Sequence, residues 1–141
     1  MLYIEQVDIN KMETVHAMFK NAWPYQRDKM NLPVGNLSAS LPFYQRVLGF
    51  TLVLQNSSPV PTAILHRDNV QIGLSENGGD PSQDGCFFEV DHVHAILEEL
   101  KSKGLTKDVS ELREEKHDET SWRLFYLIAP DGLCFCIGQR I

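Results

Sequence analysis

The chain has 141 residues, 43% hydrophobic and 23% charged, and carries a formal net charge of −6 at pH 7. This length suits one domain with a sizeable core, and the composition is ordinary for a soluble globular protein. The acidic balance disfavours a nucleic-acid backbone as partner, and no stretch approaches the ~18 consecutive apolar residues of a membrane span.

Residues 1–27 form an N-terminal extension. Its first residues lack the basic and apolar regions of a secretory signal. The three cysteines, Cys86, Cys134 and Cys136, are then read as reduced thiols in a cytoplasmic protein. Leu2–Val7 is predicted as a short strand. Met12, Val15, Phe19 and Trp23 share one face of a predicted amphipathic helix that Pro24 ends. That stripe either packs on the subunit's own sheet and helices or serves as a dimer-forming arm.

Residues 28–141 carry a faint duplication, with modules at about 28–76 and 84–141. Met30 to Val34 reads as a strand, Asn36 starts a helix, and Gly49 ends it. Phe87 to Val90 reads as a strand, Asp91 starts a helix, and Gly104 ends it. Each helix has one apolar stripe: Leu37, Leu41, Tyr44 and Leu48 in the first, Val93, Ile96, Leu97 and Leu100 in the second. Glycine is the usual residue for the left-handed position after a helix. Strands are predicted at Phe50–Gln55, Thr62–His66 and Val70–Ser75 after the first helix. After the second they are predicted at Thr106–Ser110, Ser121–Ile128 and Leu133–Gly138. Asn77 to Asp84 is the linker between modules, and Glu111 to Thr120 reads as a charged, mobile loop. The order is βαβββ twice, an α+β fold.

Strand alternation separates two faces. Met30, Leu32, Val34, Val70, Ile72, Leu74, Phe88 and Val90 should pack under the helices. Lys29, Asn31, Gln71, Gly73, Ser75, Phe87 and Glu89 should face the other way, a mixed surface suited to a small-molecule cleft. Trp122 and Tyr126 join it if their parity points to the same, concave side. Truncating either aromatic should then cost less stability than Leu32→Ala or Phe88→Ala, because a cleft residue keeps part of its exposure.

The pattern Leu37-x-x-Ser40-x-x-Phe43-Tyr44-x-x-x-Leu48-Gly49-Phe50, with Ala129-Pro130-Asp131-Gly132 near the C-terminus, resembles the two signatures of the vicinal oxygen chelate superfamily. This is the glyoxalase, bleomycin-resistance and extradiol-dioxygenase group. The resemblance implies paired βαβββ modules forming a curved, cup-like mixed sheet with helices on the outer face. It also implies that the mixed face is the ligand site. In metal-dependent members, three positions hold a divalent ion. Here those positions are Lys29, Asp84 or Gly85 according to the alignment, and Cys136. A protonated Lys has no lone pair and Gly no side chain, too few donors for a three-ligand site. The turn also departs from the family pattern, with Ala129 in place of its first Asp.

His16, His66, His92, His94 and His117 are spaced as solvated or capping histidines, and no nucleophile or phosphate motif is present. The expected protein therefore resembles the metal-free bleomycin-resistance branch, which sequesters drugs between the subunits of a dimer. Its predicted ligand-binding residues are Lys29, Asn31, Gln71, Gly73, Phe87, Glu89, Trp122, Tyr126 and Cys136, with no cofactor, no metal and no catalytic residue. The acidic balance suits a cationic or polar aromatic ligand, with Trp122, Tyr126 and Phe87 stacking and Glu89 as charge partner. The rival expectation is a metal-dependent lyase or dioxygenase with displaced ligands drawn from Gln71, Glu76, Glu89 and His66.

Overall fold

Nine strands fall into two mixed sheets, one for each βαβββ module, in a computed structural model that describes residues 17–141. The predicted strand at Leu2–Val7, and Met12 and Val15 of the predicted helix, lie outside the described residues. The first module contains β2 (Leu32–Pro33), α1 (Leu37–Pro42), β3 (Thr51–Asn56), β4 (Thr62–Arg67) and β5 (Val70–Ser75). Its sheet runs β2-β5-β4-β3. The second contains β6 (Gly85–Val90), α2 (Val93–Ser102), β7 (Arg113–His117), β8 (Thr120–Ile128) and β9 (Cys134–Arg140). Its sheet runs β6-β9-β8-β7, and β1 (Phe19–Pro24) adds to the outer side of β6. In each module the first strand pairs parallel with the last, so the duplication seen in the sequence is a duplication of topology.

Asn36 caps α1 by accepting from the Ala39 N–H at 3.1 Å, and the Glu76 carboxylate accepts from the Leu37 N–H at 2.9 Å. Pro42 has no N–H to continue the ladder, and the chain widens into a π turn at Phe43–Val47. Gly49, at φ +74°, then turns the chain into β3. The apolar stripes of both helices are buried as the spacing predicted.

The core joins the two modules. Phe88 on β6 lies 5.3 Å from Phe19 and Phe135 and 5.8 Å from Phe50, centroid to centroid. Tyr44 of the first module packs edge-on to Phe135 of the second, and its hydroxyl donates to Asp131 at 2.9 Å. Burial and the Asp131 carboxylate push the Tyr44 phenol far above its ordinary range, so it is a permanent donor. Arg67, at the end of β4, holds Glu99 of α2 through two hydrogen bonds and lies over the Phe19 ring at 4.6 Å.

Several expectations are corrected. Phe19 and Trp23 lie on a strand, not a helix. The register of β1 against β6 shifts between Phe19 and Asn21, so Lys20 bulges out. The bulge leaves buried Phe19 and Ala22 three apart, a helical spacing on an extended chain. Glu111 to Thr120 is not a loop, because Arg113–His117 pairs with β8 as an edge strand. Its Arg-Glu-Glu-Lys-His sequence is the charged composition that protects a sheet edge. Thr106–Ser110 forms only an isolated bridge between Val109 and Leu127. The strand expected over Met30 to Val34 shrinks to Leu32–Pro33, where Pro33 lacks a donor. No helix among the described residues is long and apolar enough to cross a membrane.

Removing the Tyr44 hydroxyl tests the bond between modules. Tyr44→Phe should lower stability in urea melts by about 1–2 kcal/mol. Asp131→Ala should cost clearly less in that background than in the wild type. Strict additivity of the two changes would show that the bond holds nothing.

Candidate functional site

The parity of the second sheet gathers aromatic side chains on the face that points away from the core. On β6, Phe88 and Val90 enter the core while Phe87 and Glu89 point outward. On β8, Phe125 and Leu127 enter the core while Trp122 and Tyr126 join the outward cluster with Phe87 and Cys136. Phe87 lies 4.7 Å from Trp122 and 5.9 Å from both Trp23 and His117, and Trp23 lies 6.5 Å from Trp122. The rings are crossed rather than parallel, the favoured arrangement of aromatic quadrupoles. Gly138 on β9 makes room for them. A Cβ there would meet the Phe87 ring at 2.9 Å and Trp122 at 3.3 Å.

Two carboxylates flank the rings. Glu89 is only 3% exposed. It accepts from Asn21 Nδ2 at 2.7 Å and from Arg140 Nε at 2.8 Å, with Lys20 Nζ at 3.9 Å. Burial alone would raise its pKa, but these hydrogen bonds and cations outweigh burial and hold the carboxyl below its ordinary range. Arg140 also stacks over Trp122 at 4.9 Å. Glu115 on β7 accepts from Tyr126 Oη at 2.8 Å and lies 2.9 Å from His117 Nε2. Those two hydrogen bonds keep Glu115 below its ordinary range. Burial, then the Glu115 bond, pushes the Tyr126 phenol well up. Burial pushes the Cys136 thiol up to about 12, so it is neutral and poorly nucleophilic. Tyr25 closes one end of the face, its phenol raised by burial and by the neighbouring Cys136 and Tyr126.

Of the predicted ligand-binding residues, Phe87, Glu89, Trp122, Tyr126 and Cys136 come together here. Lys29, Asn31, Gln71 and Gly73 belong to the first module. Lys29 and Gln71 line an open cleft of about 570 Å³ beside Met30 and His66. Asn31 borders a second cleft, lined by Gln26, Asp28 and Asp84. Neither cleft has a Phe, Tyr or Trp in its wall. Gly73 is required by packing, since a Cβ there would sit 2.1 Å from the Met30 carbonyl. Glu89 is buried and fully engaged, so it is not open to pair with a cationic ligand as expected. Sequence reasoning missed Asn21, Trp23 and Tyr25, which it placed in or beyond a helix. It also missed Glu115 and His117, which it placed in a loop. Arg140 follows Gly138 in outward parity on β9 and was legible by extending that strand two residues.

The positions implied for a metal do not fit one. Gly85 sits at φ +152°, and a Cβ would lie 1.6 Å from the Cys134 carbonyl oxygen, so the position admits no side chain. Lys29 offers a cation, and Cys136 a neutral thiol. Of the displaced set, Glu76 caps α1 and Glu89 is held by Arg140 and Asn21. His66 and Gln71 are neighbours across β4 and β5, but two donors are too few. Among the described residues no three His, Cys, Asp or Glu side chains group as a metal would need.

Residues 26–137 match the Glyoxalase/Bleomycin resistance protein/Dioxygenase superfamily. The chain belongs to this superfamily. Solved structures share the fold of these glyoxalase-like proteins. A bleomycin resistance determinant encoded on transposon Tn5 is 22% identical, with TM-score 0.63, covering 81% of this chain and 97% of that one. An antibiotic-binding protein from a Streptomyces species is 16% identical, with TM-score 0.65, covering 82% and 97%. A manganese-bound fosfomycin resistance protein from Listeria monocytogenes is 18% identical, with TM-score 0.54, covering 80% and 88%. A search of curated protein sequences finds no match.

Trp122 has the predicted parity but is 5% exposed, covered by Phe87, Trp23 and Arg140. Trp122→Ala should therefore cost about 3–5 kcal/mol in denaturant melts, as a core aromatic does. Trp23, 42% exposed, should cost well under half of that. The depressed Glu89 carboxyl sets a pH dependence. Its stabilisation is complete above the unfolded carboxylate value of roughly 4.3 and declines as pH falls from there through the folded value. Glu89→Gln should be less stable than the wild type at pH 7, and the gap should close in melts below pH 4. A gap that widens with acid would reverse the assigned sign.

Proposed function

We propose that this protein binds a small molecule without a metal ion and without chemical change, as a homodimer. One observation carries the reading. Trp23, Phe87, Trp122, His117 and Tyr126 gather on one outward sheet face, around polar groups that are already hydrogen-bonded. Such a face offers stacking area and orientation rather than proton transfer or attack. The Cys136 thiol is neutral, and Tyr126 is held as a donor to Glu115. The bleomycin-binding protein, which shares this fold at 23% identity and TM-score 0.61, is a relative whose solved complex contains a drug. It supports the ligand class only as an analogy.

Uncovered apolar surface on both sheets supports the homodimer. Trp23 and Tyr25 are exposed on the second sheet, as are Val53 and Leu54 on β3 at the edge of the first. A second copy that laid one sheet edge against the other would cover part of both sets and turn the open face into a groove that keeps Trp23 within reach of a ligand.

Sedimentation at micromolar concentration should give a dimer, and a monomer would remove that part of the proposal. A thermal-shift screen of aromatic compounds should find stabilisers. A ligand at a hundred times its Kd adds about 2.7 kcal/mol of stability. The same screen with Zn, Ni, Mn and Fe(II) should give no shift. Stoichiometric metal binding would favour a metal-dependent lyase or dioxygenase instead.

A further inference from the structure

The most accessible charges of the ion pairs around the aromatic face are positive, although the chain as a whole carries −6. Glu89 keeps 4% of its side-chain surface and Glu115 28%, against 51% for Lys20, 54% for Arg113 and 54% for Arg140. Both Glu89 oxygens are occupied, Oε1 by Asn21 and Oε2 by Arg140. Arg140 gives that carboxylate only its Nε. Its two terminal nitrogens donate to no acceptor among the described residues. A guanidinium has five N–H bonds in a fixed fork, so four remain at the rim of the ring cluster. Stacking on Trp122 at 4.9 Å, together with the Glu89 bond, holds the fork in place. Trp23, 42% exposed, packs against Phe87 and against the same Trp122 ring that Arg140 covers.

From this geometry we propose that the site takes a planar aromatic anion. The ring system lies against Trp23 and Phe87, and its carboxylate is held by the terminal nitrogens of Arg140, with Lys20 adding charge. The inference deepens the ligand-binding reading and rests on it. A planar carboxylate accepts two parallel N–H bonds from a guanidinium, which a hydroxyl or an ammonium cannot do. A cationic aromatic would meet the same rings but face Arg140 and Lys20 with like charge. The buried Glu89 then acts as a positioning residue: it orients Arg140 and does not touch the ligand.

Three probes with the same ring and similar size separate the possibilities: 2-naphthoate, 2-naphthylmethanol and 2-naphthylmethylammonium. Calorimetry gives their affinities. Tryptophan emission reports the location, because the chain's two tryptophans, Trp23 and Trp122, are both in the cluster. The naphthoate should bind at least tenfold more tightly than the other two at low salt. That preference should shrink toward about 1 M salt, where the Debye length is near 3 Å. Arg140→Gln should bring the naphthoate down to the affinity of the alcohol. Arg140→Lys keeps a cation beside Glu89 and should retain part of the preference, which leaves a test if the glutamine variant folds poorly. Trp23→Ala should weaken all three probes alike. Equal affinities, or an ammonium that binds best, would overturn the anion while leaving a ring-binding site. A preference untouched in either Arg140 variant would overturn the role of Arg140. If none of the three bound saturably or altered tryptophan emission, the ligand-binding reading would fail with it.

Discussion

Burying Phe88 is the constraint on which the rest of the second sheet depends. Its ring meets Phe19, Phe50 and Phe135, and so ties β1, β6 and β9 to the start of β3. Side chains on a strand alternate, so a one-residue slip of β6 would turn Phe88 to solvent and drive Glu89 into the core. Losing the Phe88 contacts and placing a carboxylate among Phe19, Phe50 and Phe135 would each cost several kcal/mol. The register is therefore strongly fixed. The outward position of Phe87 and Glu89 is a consequence of it, and the aromatic face inherits its geometry from the core behind it.

This is why the faces were legible in the sequence while some elements were not. Val70, Ile72 and Leu74 alternate with the small or polar Gln71, Gly73 and Ser75, and Phe88 and Val90 flank the polar Glu89; all five enter the core on that parity. The helices were equally plain, because Leu37, Leu41, Tyr44 and Leu48 repeat at a helical spacing and glycine follows. β1 was misread because a bulge at Lys20 shifts its phase, so its buried residues imitate a helical period. β7 was misread because an edge strand of charged residues has no apolar alternation to show. In both cases the strand exists because a partner strand supplies the ladder, and no local signal records the partner.

The same distinction divides the site. The rings Phe87, Trp122 and Tyr126 could be placed from parity within their own strands. The pairing of Glu89 could not, because both of its side-chain hydrogen bonds are long in sequence. Asn21 reaches Glu89 across 68 residues, and Arg140 reaches it across 51. From the sequence, Glu89 was a lone carboxylate and the natural partner for a cation. In the folded chain it is the anchor of a cation, and the sign of the exposed charge reverses. Gly73 and Gly138 carry a similar lesson. Both lie on the outward face, but Gly73 makes way for the Met30 backbone and Gly138 for the Phe87 and Trp122 rings. Only the second shapes the site.

β1 lies before residue 26, where the family match begins. It nevertheless supplies Trp23 to the rings and Asn21 to Glu89. It also lengthens the sheet beyond β6, which would otherwise be the edge of that sheet. One short segment therefore does two things at once: it covers the edge of β6 and widens the outward face by one strand carrying a large, half-exposed indole. The superfamily fold provides a floor of β6, β9 and β8, and the segment ahead of it adds a wall. The chemistry of such a site is set less by the shared scaffold than by what is attached at its rim. In this chain the rim is Trp23 and Lys20 from β1, with Arg140 from the end of β9.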